Sequence, residues 1–133
     1  MKKTFLACLL LALAFLFSCK KPAGSGGNAS IKGKVWVEDW DKYFTAINYE
    51  YPGSDEDVYI IYGEDTSYGD RIKTNYNGEF EFKYLRKGKY RVYVYSSQAQ
   101  TATDPSAQQA KVIEVEITKN KEVKDIGTIT VKR

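Results

Sequence analysis

From Ile31 to the C-terminus, apolar residues recur at every second position between short turn signals, and no stretch sustains helical spacing. Residues that alternate in this way lie alternately on the two faces of an extended strand, so one face can be buried while the other stays wet. Ile31, Gly33, Val35 and Val37 alternate with Lys32, Lys34 and Trp36. Val58, Ile60 and Tyr62 alternate with Tyr59 and Ile61, and Ile72 and Thr74 with Arg71 and Lys73. Asn77-Gly78, a strong two-residue hairpin signal, precedes Phe80 and Phe82. Gly88 then introduces Tyr90, Val92 and Val94, and a sixth run carries Ile113, Val115 and Ile117. The last run, about Val123 to Val131, changes parity between Ile126 and Ile129, which predicts a bulge near Gly127. Seven such runs in about 100 residues predict an all-β fold, a seven-strand antiparallel β-sandwich. After the fifth run, Asp104-Pro105 followed by Ser106 to Ala110 reads equally as the start of a short helix, with Asp as N-cap, or as a polar loop.

The N-terminal segment does not belong to this pattern. Met1-Lys2-Lys3 is a short positive start, and Phe5 to Phe17 is an uncharged apolar run of 13 residues. A membrane span needs about 20 such residues and a secretory signal about 7 to 15. With Leu16, Ser18 and Cys19 following, the segment resembles a bacterial lipoprotein signal peptide. The resemblance implies removal of residues 1–18, acylation of Cys19 and export to a membrane, read here as the bacterial outer membrane with the leaflet left open. Cys8 departs with the signal and Cys19 takes the lipid, so neither thiol remains for catalysis or for a disulfide. Residues 19–30 are rich in Gly, Ser and Ala and predict a flexible tether, about 18 Å in r.m.s. span by coil scaling. The sandwich domain is expected over residues 31–133, where 16 Lys and Arg face 17 Asp and Glu. That balance implies no nucleic-acid partner.

Within the domain, Ile31-Lys32-Gly33-Lys34-Val35 resembles the opening of a carboxypeptidase regulatory-like domain of the broader transthyretin-like (prealbumin-like) group. Thr74 to Phe82 is similar to the T-x-x-x-G-x-F-x-F hairpin of that family, and Leu85 to Val92 to its L-x-x-G-x-Y-x-V. The resemblance implies a transthyretin-like sandwich that serves mostly as an accessory or binding module. Its enzymatic relatives, ureide hydrolases and iron dioxygenases, depend on histidine, and this chain has none. The absence also removes the commonest general base, the Ser-His-Asp triad and His-containing metal sites. A pair of carboxylates about 5 to 9 Å apart would suffice for glycoside hydrolysis, but a bare sandwich offers little cleft for it. The chain therefore reads as non-catalytic, with no cofactor.

Two residue clusters remain. Ten carboxylates lie between Glu38 and Asp70 with only Lys42 to oppose them. Asp39, Asp41 and Glu50 occupy positions 1, 3 and 12 of an EF-hand-like spacing, but Tyr43 and Phe44 fill the positions that need an oxygen ligand and a glycine. No metal is expected. The second cluster is aromatic: all eleven tyrosines fall between Tyr43 and Tyr95. The transthyretin-like strand order makes the second and fifth strands neighbours. That places Tyr59, Ile61, Arg91, Tyr93 and Tyr95 on one outward face, extended by Val112, Glu114 and Glu116, with Arg91 able to pair with a glutamate across strands. Tyr and Arg are enriched at interface hot spots, and tyrosine faces also stack on sugars. About twenty residues, 38–57, separate Val37 from Val58 and carry Trp40 and Tyr43. This insertion is expected either to rim the tyrosine face or to fold down over it. The functions implied are binding of a protein partner, binding of a glycan by the same tyrosines, or a structural assembly role through a sheet edge. Trp36, outward on the first strand with Lys32 and Lys34, belongs to the opposite sheet.

Overall fold

The structure, a computed structural model, describes residues 21–99 and 107–133. The segment expected to be a signal, Cys19 and the expected helix or loop opening at Asp104-Pro105 lie outside the described residues. Gln108 to Ala110, at the far side of that stretch, are strand. The described residues form eight strands and no helix: β1 (Ser25–Trp40), β2 (Ile47–Pro52), β3 (Asp57–Tyr62), β4 (Asp70–Lys73), β5 (Glu79–Leu85), β6 (Gly88–Ser97), β7 (Gln108–Ile117) and β8 (Val123–Lys132). They make two four-stranded sheets, one of β1, β2, β5 and β8, the other in the order β4-β3-β6-β7. The alternating residues meet between the sheets: Ile31, Val35 and Val37 face Val58, Ile60, Val92 and Val94, all at most 1% exposed. Phe80, Phe82, Tyr90, Ile117, Ile129 and Val131 complete this core. Each such side chain removed from water contributes about 1.5 to 3 kcal/mol.

β1 organises its sheet. β8 pairs with it in parallel from Ser30 to Glu38. β5 takes the opposite edge from Ser25 to Lys34, and β2 continues on that edge from Trp36 to Trp40. The two strands meet end to end at Val35, whose N–H donates to the Gly78 carbonyl (2.7 Å) and whose carbonyl accepts from Gly53 N–H (2.9 Å). The expected all-antiparallel pairing is thus corrected at β1–β8. These are the first and last strands, so no hairpin constrains their direction. The parity change of β8 falls where expected, at Gly127 (φ 74°), whose N–H is held by the Asp125 carboxylate at 2.9 Å.

Two further expectations are corrected. The 38–57 insertion is not an irregular loop but a hairpin, and it raises the strand count from seven to eight. β2 fills the length of β1 edge that β5 leaves unpaired beyond Lys34. The Asp41 carboxylate closes the turn by accepting from Thr45 N–H (2.7 Å) and the Thr45 hydroxyl, contacts that hold its pKa below the usual carboxylate value. Residues 21–30, the described part of the expected tether, are likewise no simple tether, because the chain is strand from Ser25 onward. Ala29 and Ser30 are buried, Arg86 Nε donates to the Pro22 carbonyl (2.8 Å), and Arg86 N–H donates to Gly24 O (2.8 Å). Glycine is needed here for close approach rather than slack: a Cβ on Gly27 would stand 2.1 Å from the Leu85 carbonyl oxygen.

The β7–β8 turn is closed by Glu122, whose carboxylate accepts from the N–H of Thr118 (2.8 Å) and Lys119 (3.2 Å) and pairs with Lys124 (3.1 Å). The Thr118 bond first, then Lys124, hold its pKa at about 2. A carboxyl depressed in the folded state contributes stability that is complete above its unfolded pKa and lost as pH falls toward the folded one. Thermal melts between pH 5 and pH 2 are therefore expected to show a smaller acid loss for Glu122→Gln than for the wild type. Parallel curves would mean that the turn does not use this charge.

Candidate binding face

β3 and β6 are neighbours, with Tyr59 opposite Tyr93 and Ile61 opposite Arg91. On the far side of β6, Tyr93 faces Val112 and Tyr95 faces Ala110 of β7, while Arg71 of β4 lies opposite Tyr59. The inward places on these strands are taken by Val58, Ile60, Val92 and Val94, so the period of two turns the tyrosines outward. There they pack on one another. Tyr59 and Tyr93 stack with centroids 4.9 Å apart and planes 9° apart, and Tyr95 stands edge-on to both at 5.6 and 5.5 Å. Tyr68 closes the group, edge-on to Tyr59 at 5.2 Å. Tyr93 at the centre is only 9% exposed, whereas Tyr95 (41%), Tyr68 (51%) and Val112 (52%) present surface to solvent.

Tyr68 reaches this position because the β3–β4 connection is pinned. Arg91 Nη2 donates to the Asp65 carbonyl (2.6 Å) and the Gly63 carbonyl (3.2 Å). Gly69 N–H donates to Ile60 O (2.8 Å), and a Cβ on Gly69 would fall 2.3 Å from the Tyr62 ring. Arg91 is thus engaged in holding a loop and makes no ion pair with Glu114, although the two lie opposite each other in register.

Burial, then the neighbouring Tyr95, pushes the Tyr93 phenol up to about 12. The raised value means that the folded state holds this proton more tightly than the unfolded one. Stability is complete below the ordinary tyrosine value near 10 and falls as pH climbs toward 12. Burial also raises Tyr62 and Tyr90, so an ultraviolet titration of phenolate absorbance is expected to show a late-titrating component that loses one tyrosine in Tyr93→Phe. An unchanged curve in that variant would contradict the packing described.

The structure brings Tyr59, Tyr93 and Tyr95 together and leaves Ile61 half-buried beside them. It does not bring Trp40 and Tyr43 there. Both lie in the β1–β2 hairpin of the other sheet, where Trp40 stacks on Phe44 (6.2 Å) beneath the Lys132 ammonium (4.1 Å) and Tyr43 is 69% exposed. The insertion neither rims nor covers the tyrosine face, because pairing with β1 holds it in the opposite sheet. Trp36 lies in that sheet, 5.6 Å from the Lys34 ammonium.

Tyr68 and Arg71 were not among the residues expected from the sequence. The alternation of Arg71 with Ile72 carried a signal for its outward place. Tyr68 carried none, since a loop has no period. The acidic residues do not converge, and among the described residues no three Asp, Glu, Cys or His side chains are grouped to hold a metal ion. An open hollow of about 600 Å³ on the β1–β5–β8 face is lined by Lys32, Lys34, Glu79, Glu81 and Asp125, a mixture of both charges.

No family model matches the chain, and no curated protein does. Among solved structures the chain is similar to a candidate carbohydrate-binding protein from Pseudomonas aeruginosa, at 11% identity and TM-score 0.45 over 90% of this chain and 96% of that one. It is similar to a 9R-lipoxygenase from Cyanothece at 15% identity and TM-score 0.41, covering 77% of this chain and 16% of that one. It is also similar to (S)-allantoin synthase at 10% identity and TM-score 0.41, covering 80% of this chain and 42% of that one.

Proposed function

We propose that the chain is a non-catalytic, lipid-anchored binding module of the carboxypeptidase regulatory-like type, held at a bacterial outer membrane through Cys19. Its tyrosine face would contact a protein partner. The observation that carries this reading is the ring of exposed aromatic and apolar surface, Tyr68, Tyr95 and Val112, around a nearly buried Tyr93. A preordered cluster of this kind binds at low entropic cost, because its side chains already pack against one another. The flat sheet face, with Arg71 at its margin, has the composition of an interface core. A glycan is the second reading. It is disfavoured at the centre, because Tyr59 and Tyr93 cover one face of each other and Tyr93 is only 9% exposed, so little ring surface is open there to a sugar.

Photo-crosslinking from positions 68 and 95 in membranes is the test. One protein adduct is expected, weakened about tenfold or more by Tyr68→Ala or Tyr95→Ala, which corresponds to about 1.4 kcal/mol. Saccharide binding lost in the same variants would favour the glycan reading, and self-crosslinked ladders would favour an assembly subunit. Adducts indifferent to both substitutions would remove the tyrosine face from the function.

A further inference from the structure

The near-neutral charge of the domain hides an asymmetry that only the topology reveals. β5 ends and β6 begins at Leu85 to Gly88, and Gly88 pairs with Ile117, where β7 ends. Ser30 N–H donates to the Glu122 carbonyl (2.9 Å) and Ser30 pairs with Val123, so the β7–β8 turn lies at the same end of the sandwich. Two turns that are 30 residues apart in the chain therefore project side by side. One carries Arg86 and Lys87, with Lys89 just beyond it in β6, and the other Lys119 and Lys121. No ion pair among the described residues involves any of these five. Carboxylates lie nearby. Glu122 is folded into its own turn and paired with Lys124, and Glu64 and Glu116 flank Lys89 in a hollow on the β3–β6–β7 side. Asp65 lies on the β3–β4 connection, which leaves β3 at this end, and Asp70 follows it at the start of β4, so the cations outnumber the carboxylates there without being alone. The opposite end, about 30 to 36 Å away along β1, carries Asp39 and Asp41 with Lys42, while Asp55, Glu56 and Asp57, at the start of β3, pair with Lys73, Arg133 and Arg71.

The chain leaves the fold at the basic end. Arg86 holds the Pro22 carbonyl, and exposed Lys21 follows. Position 19 is three residues from Pro22, a reach of at most about 11 Å. We propose that this end is a docking surface for an anionic lipid bilayer, with Lys21, Arg86, Lys87, Lys89, Lys119 and Lys121 facing the headgroups. The proposal rests on the anchoring at Cys19 for its geometry, and on charge complementarity for its chemistry. It sets the strands upright on the membrane. The tyrosine face then points sideways, along the bilayer, toward a partner held in the same plane.

The test uses the full chain with phosphatidylcholine vesicles and with vesicles containing about 30% phosphatidylglycerol, at about 0.05 M and 0.5 M salt. After flotation, lysines are labelled with a water-soluble amine reagent and quantified by mass spectrometry, with Lys42 and Lys73 at the far end as references. The expected result is flotation with both vesicles. On the anionic ones only, labelling of Lys87, Lys89, Lys119 and Lys121 slows about fivefold relative to the references, and high salt restores it. Lys87→Glu with Lys119→Glu should abolish the slowing at Lys89 and Lys121. Flotation with both vesicles but equal labelling at the two ends overturns the docking surface and leaves the anchor standing. Flotation with anionic vesicles alone supports the surface and removes the anchor. Flotation with neither overturns both.

Discussion

Replacing Tyr90 by alanine is expected to cost about 4 kcal/mol of folding stability, measured by urea titration. The ring is 1% exposed and packs edge-on against Tyr62 at 5.9 Å, so its loss opens a cavity in the core. The hydroxyl adds a second effect. It accepts from Gly24 N–H at 2.9 Å and donates to the Arg86 carbonyl at 2.6 Å. A tyrosine early in a strand that bonds the backbone four residues upstream has the geometry of a tyrosine corner. Here it also fastens the N-terminal segment. Tyr90→Phe separates the two effects: keeping the ring while stranding the Gly24 N–H should cost about 1 to 3 kcal/mol. It should also speed amide exchange at Gly24 more than in the centre of β6. A phenylalanine variant as stable as the wild type would show that the hydroxyl does not hold the N-terminal segment.

Gly78→Ala is expected to cost about 3 kcal/mol, through two terms that a control can part. Gly78 has φ 77°, a left-handed conformation that costs a residue with a Cβ about 1 to 2 kcal/mol. Its Cβ would also stand 2.4 Å from the Val35 carbonyl oxygen, the acceptor for Gly53 N–H at the place where β2 and β5 meet along β1. The Asn75 side chain, which accepts from the N–H of Asn77 and Glu79, fixes this turn and leaves it little room to yield. Gly127 has nearly the same φ, 74°, with nothing within 4 Å of its would-be Cβ. Gly127→Ala should therefore show the conformational cost alone, about 1 kcal/mol. Equal losses in the two variants would rule out the contact with Val35 as a cause.

The two positions also show how far local sequence reaches. Asn77-Gly78 is legible as a turn because the need for positive φ is local. That Gly78 also borders the junction of two strands is not, since its neighbour Val35 is 43 residues away. Gly24, Gly26 and Gly27 were misread for a related reason. Glycine serves both slack and close approach, and composition cannot separate the two uses. Only the Leu85 carbonyl beside Gly27 decides between them.

The candidate face divides in the same way. Alternation along β3 and β6 was sufficient to turn Tyr59, Tyr93 and Tyr95 outward, and the strand order set them side by side. Tyr68 entered through a loop held by Arg91, a long-range hydrogen bond with no sequence signature. Trp40 and Tyr43 left the face because an unpaired stretch of β1 offered their hairpin a partner in the other sheet.

By itself, the sequence determined the all-β class, the inward and outward residues of most strands, the bulge at Gly127 and the absence of histidine chemistry. These follow from side-chain period and composition, which are properties of neighbours in the chain. Tertiary structure alone decided where the N-terminal segment lies, which sheet receives the insertion, how Tyr68 joins the cluster, and that two basic turns share the end from which the chain departs. Each of those depends on an edge, a carbonyl or a charge brought near by folding, and no local pattern records it.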